Sequence, residues 1–359
     1  MCPFPEGVAA GQRLKYEQYF NHWESNGYSI KTSSFMDEEM WSVVYTKGNL
    51  IKKIVGTIKG YIQRVRQIFS ISDYDLVYVF MWVTPFGFSF FERVYKHLSN
   101  KLIYDLEDNA MMGKSNKLNP LMSILRGTGK VKFLVKNADH VITSSPFLNE
   151  DCLKTNINKS CTYVSSSIDM ERFTVKNNYS NSDTIVIGWT GTFSSLPYLD
   201  DIRDVFLELR KKVNFKLRII GNFDYDFPGI DLEVIRWSKE NEINDLNGID
   251  IGIYPLPKDK WVLGKSGLKA IQYMSLGLPT VATDVGTTPM IINHMENGLL
   301  VSDRDDWVNA LETLIKDPAL RKKLGSKART HMEENYSTEV IGTTYLSILN
   351  KVTGSINNE

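Results

Sequence analysis

The sequence predicts an α/β protein of two doubly wound parallel-sheet domains facing each other across a cleft. Three observations predict it. A length of 359 residues suits two domains better than one or three. Short, continuous apolar runs alternate with helical patterns in each half, which is the βαβ rhythm of a parallel sheet covered on both faces. A polar, Asn/Ser-rich stretch at residues 174–183, TVKNNYSNSD, separates the halves, and the rhythm restarts directly after it. These patterns place one Rossmann-like domain at 1–166, a linker at 167–183 and a second domain at 184–336.

In the first half, residues 10–26 read as a helix stopped by Gly27. Residues 76–80, 102–104 and 140–143 are apolar runs without alternation, read as buried strands. The second half offers strands at 184–189, 216–220, 232–235, 249–253 and 279–282. Helices fall at 197–211 and 268–276, and further helices begin near Asp305, Pro318 and Ser337. A doubly wound domain normally opens on an apolar strand, whereas this chain opens in a Pro/Gly loop, so the first strand is expected to be shortened or absent. Ligands of such sheets bind outside the carboxyl ends of the strands, where loops and helix starts converge.

Composition excludes several classes. Hydrophobic residues make up 42% and charged residues 23%, ordinary for a globular protein, and the formal net charge is zero. A global attraction to nucleic acid is therefore not expected. Cys2, Cys152 and Cys161 show no metal spacing, and their sparse, odd number fits a reducing compartment. The histidines are scattered without ligand spacing. No apolar run is long enough to span a bilayer, and the opening residues do not read as a signal peptide, so a cytoplasmic location is expected.

Two segments carry phosphate-type chemistry. Residues 188–195, GWTGTFSS, follow an apolar strand and precede a helix, so glycines, hydroxyls and free N–H groups converge there. The plain alternative is a tight strand–helix turn. In the segment beginning GKSGLKAIQYM, Lys265 and Ser266 sit just before a helix, where a cation and unsatisfied N–H groups favour a diphosphate. Here the plain alternative is an ordinary αβ unit with a solvated lysine.

With these residues a family resemblance becomes specific. GLKAIQYMSLGLPTVATDVGTTPMI followed by HMENGLLV resembles the signature of glycosyltransferase family 4, which has the GT-B fold. IGWTGT, LRIIGN and DIGIYPLPKDKW resemble one branch of it. The start bearing Gly11 and Arg13 resembles the acceptor-domain entry loop, and VSSSIDMERF the interdomain hallmark. The resemblance implies transfer of a sugar from a nucleotide donor with retention, and a last helix, about 337–353, that packs on the first domain. By it, Gly191 and Thr192 approach the diphosphate, Lys265 neutralises it with Ser266 beside it, Gln272 meets the ribose, and Trp237 lies near the base. Trp237 reads equally well as a packed strand-end residue.

This sequence also departs from the family. Two glutamates separated by seven residues are usual there, but Gly264 and Gln272 occupy those positions. The common Arg–Lys pair after the first strand of the second domain is not recognisable. In the first half, Tyr104-Asp105-Leu106-Glu107-Asp108 ends a strand in carboxylates where many relatives have a histidine. Glu107 or Asp108 is read as orienting the acceptor hydroxyl or taking its proton, with Asp105 beside the acceptor; the plain alternative is helix capping.

Residues 47–69 form a basic amphipathic stretch with no acid between Glu39 and Asp73. One reading packs its apolar stripe on the sheet with a solvated basic face. The other places it on an anionic membrane surface, at the inner face of the cell membrane, where a lipid-linked acceptor lies. Two GKS tripeptides, at Gly113 and Gly264, lack the glycine a P-loop requires. Asp224-Tyr225-Asp226 is read as a loop, and no metal or other cofactor is expected. The expected partners are a nucleotide-sugar donor and a glycan or lipid-linked saccharide acceptor, in cell-surface polysaccharide synthesis. The alternatives are a non-catalytic GT-B protein that binds sugar nucleotides or glycans in an assembly complex, and a nucleotide-sugar epimerase whose usual acid–base pattern is not evident.

Overall fold

The computed structural model describes residues 1–108, 128–175 and 184–354. Much of the linker expected at 167–183, and the GKS at Gly113, lie outside them. The chain divides into two compact units. The first comprises Met1–Ser165, Leu263–Ser266 and Ile341–Glu359, the second Ser166–Val262 and Gly267–Val340.

The first unit holds a four-stranded parallel sheet of β1 (Val77–Phe80), β2 (Leu102–Leu106), β3 (His140–Thr143) and β4 (Cys161–Tyr163), in that order. β4 carries no long apolar run and was not expected. Met1 lies along the free edge of β1, accepting a hydrogen bond from the Phe80 N–H at 2.9 Å. The helices are α1 (Ala10–Arg13), α2 (Phe20–Ser25), α3 (Glu38–Val44), α4 (Leu50–Ile68), α5 (Phe90–Leu98), α6 (Thr128–Asn137) and α7 (Pro146–Thr155). Val79, Tyr104 and Val141 face Tyr95, Leu134 and Leu148 from α5–α7. On the opposite face Phe80, Ile103 and Ile142 meet Tyr16, Tyr19 and Trp23. Ser145 caps α7 by accepting the Leu148 N–H at 3.2 Å, with Pro146 at the first helical position.

Two expectations for this unit are corrected. The helix expected at 10–26 is broken between α1 and α2, because residues 12–17 are buried without interruption and cannot lie on a one-sided surface helix. Glu17 ties this turn together, accepting from the Gly7 N–H at 2.8 Å and from Gln12 Nε2 at 2.5 Å. The apolar stripe of α4, read in one alternative as packed on the sheet, is solvent-exposed. α4 instead buries Gly56, Gly60 and Arg64. Its glycines admit close neighbours: a Cβ on Gly60 would lie 2.6 Å from the Phe35 carbonyl oxygen, and one on Gly56 2.7 Å from Met40 Cβ.

The second unit is a six-stranded parallel sheet of β5 (Ile185–Thr190), β6 (Phe215–Ile220), β7 (Asp231–Ile235), β8 (Ile251–Tyr254), β9 (Thr280–Thr283) and β10 (Leu299–Val301). Its order, β10-β9-β8-β5-β6-β7, is that of dinucleotide-binding sheets, and it reverses between β5 and β8. The helices are α8 (Leu196–Asp200), α9 (Arg203–Lys212), α10 (Glu242–Asn247), α11 (Leu268–Ser275), α12 (Thr288–Ile291), α13 (Arg304–Lys316) and α14 (Pro318–Asn335). The helix expected at 197–211 is thus two helices with a break at Asp201-Ile202, and β10 was not expected. α11 ends at Gly277, whose φ of 72° lets its N–H reach the Met274 carbonyl at 3.0 Å. Asp303 and Asp317 cap α13 and α14, accepting backbone N–H groups at 2.9 and 2.8 Å.

The last helix, α15 (Thr338–Thr353), returns to the first unit, where Tyr345, Ile348, Leu349 and Val352 complete the core around Tyr16, Tyr19 and Trp23.

The α4 packing gives a test. Gly60→Ala should destabilise the protein by about 1–3 kcal/mol despite alanine's better helix propensity, because the added methyl meets a backbone oxygen. Gly129→Ala in α6, where the methyl meets nothing within 4 Å, should be neutral or stabilising. Chemical denaturation of the two variants measures the contrast.

Candidate functional site

In the second unit the strand-order reversal places the end of β5 beside that of β8. β5 terminates over a buried indole: Trp189 is 1% exposed. The chain then turns at Gly191, where a Cβ would lie 2.3 Å from the Trp189 ring and 2.8 Å from Ser195 Oγ. Only glycine lets the backbone pass so close. Ser195 Oγ accepts the Thr192 N–H at 3.2 Å, and Thr192 Oγ1 lies 2.8 Å from Ser194 Oγ. Tyr273 of α11 accepts the Thr190 N–H at 2.8 Å, fixing the strand end to the helix.

A cation that sequence reasoning missed completes this loop. Lys269, in the first turn of α11, donates to Ser195 Oγ at 3.2 Å and lies 4.8 Å from the Trp189 ring centroid and 5.8 Å from that of Tyr254. No motif marked it, because it reads as an ordinary solvated lysine in the first turn of a helix. α8 is only five residues long, so its helix start contributes little field. The cation seated on this loop is Lys269.

Trp237 and Gln272 are brought together by a residue sequence reasoning also missed. Glu242, 3% exposed, accepts from Trp237 Nε1 at 3.3 Å and from Gln272 Nε2 at 3.4 Å. It sits in an acidic, polar stretch, KENEIND, that reads as solvated surface, so no pattern marked it. Asp224 of the D-x-D tripeptide pairs with Arg236, and Tyr225 donates to Asp200 at 2.8 Å.

Lys265 and Ser266, expected beside the diphosphate in the second domain, are placed differently. Residues 263–266 group with the first unit, where Ser144 Oγ donates to the Gly264 carbonyl at 3.0 Å. Lys265 Nζ lies 3.4 Å from Asp108 Oδ1. The tight turn at Gly267, which starts α11, separates these residues from Lys269.

In the first unit, the end of β2 gathers the expected carboxylates. Asp105 is fully buried, ion-paired with the buried Lys15 at 2.7 Å and accepting from Tyr78 Oη. Burial pushes its carboxyl above the usual carboxylate range, against the pull of Lys15. Glu107 is half-buried, and desolvation raises its pKa to about 7; Lys15 and Lys265 oppose the rise, while Asp108 and Asp105 add to it. Gly11 makes room for it, since a Cβ there would come within 3.3 Å of Glu107 Oε2. Arg13, at the end of α1, is buried. Asp108 has a φ of 56°, the left-handed region that non-glycine residues seldom occupy. The structure therefore brings Gly11, Asp105, Glu107, Asp108 and Lys265 together in the first unit, and Gly191, Thr192, Trp237 and Gln272 are held in the second.

Residues 184–317 match the family model described as glycosyl transferases group 1. The chain is 29% identical over 153 residues to glycosyltransferase 1 domain-containing protein 1 of Xenopus tropicalis, covering 39% of this chain and 42% of that protein. It is 23% identical to the N-acetyl-alpha-D-glucosaminyl L-malate synthase of Bacillus anthracis over 67% of this chain and 65% of that one. It is 25% identical to the capsular polysaccharide biosynthesis glycosyltransferase CapM of Staphylococcus aureus over 49% and 50%. Each alignment spans less than two thirds of the relative's own length.

Among solved structures, sucrose-phosphate synthase of Thermosynechococcus elongatus superposes with a TM-score of 0.63 at 15% identity, over 87% of this chain and 83% of that one. Anabaena HepE, solved with UDP and glucose, gives 0.59 at 14% identity over 82% of each. Likeness at this identity establishes the fold alone, two parallel-sheet α/β domains of the GT-B kind. The family model matches only residues 184–317, most of the second unit, and what this part of the chain resembles is a glycosyl transferase group 1 domain.

Proposed function

We propose that this chain transfers a sugar from a nucleoside diphosphate donor to a glycan or lipid-linked acceptor, with retention at the anomeric carbon, in cell-surface polysaccharide assembly. The observation that carries the proposal is the Gly191 loop at the sheet's reversal point, with the Lys269 ammonium on its Ser195 hydroxyl. A leaving nucleoside diphosphate needs its developing charge met by fixed donors and a cation, and this loop supplies them. Trp237, Gln272 and Glu242 form the neighbouring polar–aromatic group suited to a nucleoside. HepE, solved with UDP and glucose, and CapM, named for capsular polysaccharide biosynthesis, are consistent with that donor and that role. Gly264, where the family's first glutamate usually stands, favours a second reading, a non-catalytic sugar-nucleotide binder. Transfer assays with a panel of nucleotide sugars, with the product's anomeric configuration read by NMR, separate the two readings: no turnover of any donor supports the second.

In this reading Lys269 takes the diphosphate charge. Lys269→Ala should weaken UDP binding about 10–100-fold, as expected for a lost hydrogen bond between charged groups. Lys265→Ala, whose ammonium lies 3.4 Å from Asp108, should cost less than tenfold. Calorimetric titration of both variants decides the assignment; unchanged affinity in Lys269→Ala removes it.

The acid cluster serves the acceptor. A carboxyl with a pKa of about 7 is partly ionised near neutrality, the condition in which it can orient a hydroxyl and accept its proton. Glu107→Gln or Asp108→Asn should lower turnover roughly 10²–10⁴-fold while donor affinity stays within a few-fold. Rates within a few-fold of wild type would make the cluster structural. A collapse of donor binding would move it to the donor's side.

Glu107 also gives a pH signature. Its folded pKa of about 7 stands above the ordinary 4.5. Between those values the folded protein retains a proton that the unfolded chain has released, so this carboxyl's cost to stability grows as pH rises through that window and is complete above it. Glu107→Gln should therefore raise the melting temperature more at pH 8 than at pH 4.5. Equal shifts at both pH values would show that the carboxyl is not desolvated.

A further inference from the structure

We propose that α4 is a membrane-docking element, laying its exposed apolar stripe into the headgroup region of an anionic bilayer. The helix is inverted relative to an ordinary surface helix. Gly56, Gly60 and Arg64 face the protein, and Arg64 is held there by the Val83 carbonyl at 2.9 Å and Ser33 Oγ at 2.7 Å. The opposite arc presents Leu50, Ile51, Ile54, Val55, Ile58, Ile62 and Val65 to solvent, with Ile51 78% exposed. A stripe of this length is far more than the scattered single hydrophobes of an ordinary surface. It widens toward α5: Tyr61 Oη donates to the Phe86 carbonyl at 2.8 Å, anchoring a segment whose Phe88 is 87% exposed.

Charge selects the occupant. Lys47, Lys52, Lys59 and Arg66 are exposed around the stripe, and no acidic residue occurs between Glu39 and Asp73. Asp37 and Glu39 of the α3 region pair with Lys59 at 3.2 and 3.5 Å, and Glu39 lies 3.8 Å from Lys52, so Lys47, Arg66 and Lys53, which donates to the Thr46 carbonyl, carry the excess. A second copy would set like charges against each other, whereas an anionic lipid surface neutralises them. Among the described residues no helix is long and apolar enough to cross a membrane, so the geometry is one of lying in the interface.

Flotation of the full chain with phosphatidylcholine vesicles, with and without roughly a third phosphatidylglycerol, tests this. Wild type should float with anionic vesicles and at least tenfold less with neutral ones. Ile51→Asn/Ile58→Asn/Ile62→Asn should remain in the bottom fraction with an unchanged thermal melt, because these side chains make no core. Lys47→Gln/Arg66→Gln should weaken binding about fivefold per charge removed, and raised salt should do the same to wild type. Wild type failing to float with either vesicle overturns the proposal. So does a wild-type dimer in sedimentation that the isoleucine variant abolishes, since that assigns the face to a second copy.

Discussion

The seam between β5 and β8 is the constraint on which the second unit's site depends. Gly188 of β5 stands opposite Gly252 of β8 in the parallel register. Neither position has room for a side chain: a Cβ on Gly188 would lie 2.2 Å from Ile249 Cδ1, and one on Gly252 2.5 Å from the Tyr273 ring. Ile249 fills the space at Gly188; that at Gly252 is occupied by Tyr273, which brings α11 down onto the strands and delivers its hydroxyl to the Thr190 N–H. Because α11 is seated this way, Lys269 in its first turn reaches the Gly191 loop. The position of one ammonium thus traces back through an aromatic side chain to Gly252, a residue that has none.

A different economy governs the end of β2. There the ordering force is the cost of burying charge. Asp105 and Lys15 are removed from water together at 2.7 Å, and truncating either would strand the other at a cost of about 3–5 kcal/mol. The next carboxyl, Glu107, is only half-buried but shares the same surroundings and keeps its proton to about pH 7. The left-handed backbone at Asp108 turns the chain away from the strand with its side chain toward Lys265. Strain and desolvation collect in three acidic residues out of four successive positions, Asp105, Glu107 and Asp108, which a purely structural strand end would not need.

Much of this was legible in the sequence because parallel strands announce themselves: β2, β3 and β8 are largely apolar runs, buried along their whole length. The short β4 and β10 lack that length. The segment at 12–17 misled because its polar letters, Gln12, Arg13, Lys15 and Glu17, read as surface, whereas all are buried, Gln12 on Glu17 and Lys15 on Asp105, in contacts that no periodicity encodes. Site residues named by local motif, Gly191 and Thr192 among them, lie on the expected loop. Glu242 and Lys15 meet Gln272 and Asp105, partners 30 and 90 residues away, and distance in sequence is what motif reading cannot cross. α4 shows the opposite failure: its pattern was read correctly, but hydrophobic periodicity alone does not say which side of a helix faces the protein, and here glycine decided it.

The return of α15 to the first unit has a consequence for the order of assembly. Tyr16, Tyr19, Trp23, Phe80 and Val164 enclose one hydrophobic cluster, but Tyr345, Ile348, Leu349 and Val352 form part of its wall. On the ribosome, Tyr345 follows Val164 by 181 residues. At translation rates of about 5–20 residues per second that is a wait of roughly 10–40 s. The second unit, nearly continuous in sequence, can close its core within that interval. The first unit is thus sealed after the second, and its aromatic face stays open to chaperones, or to neighbouring chains, until α15 has been made.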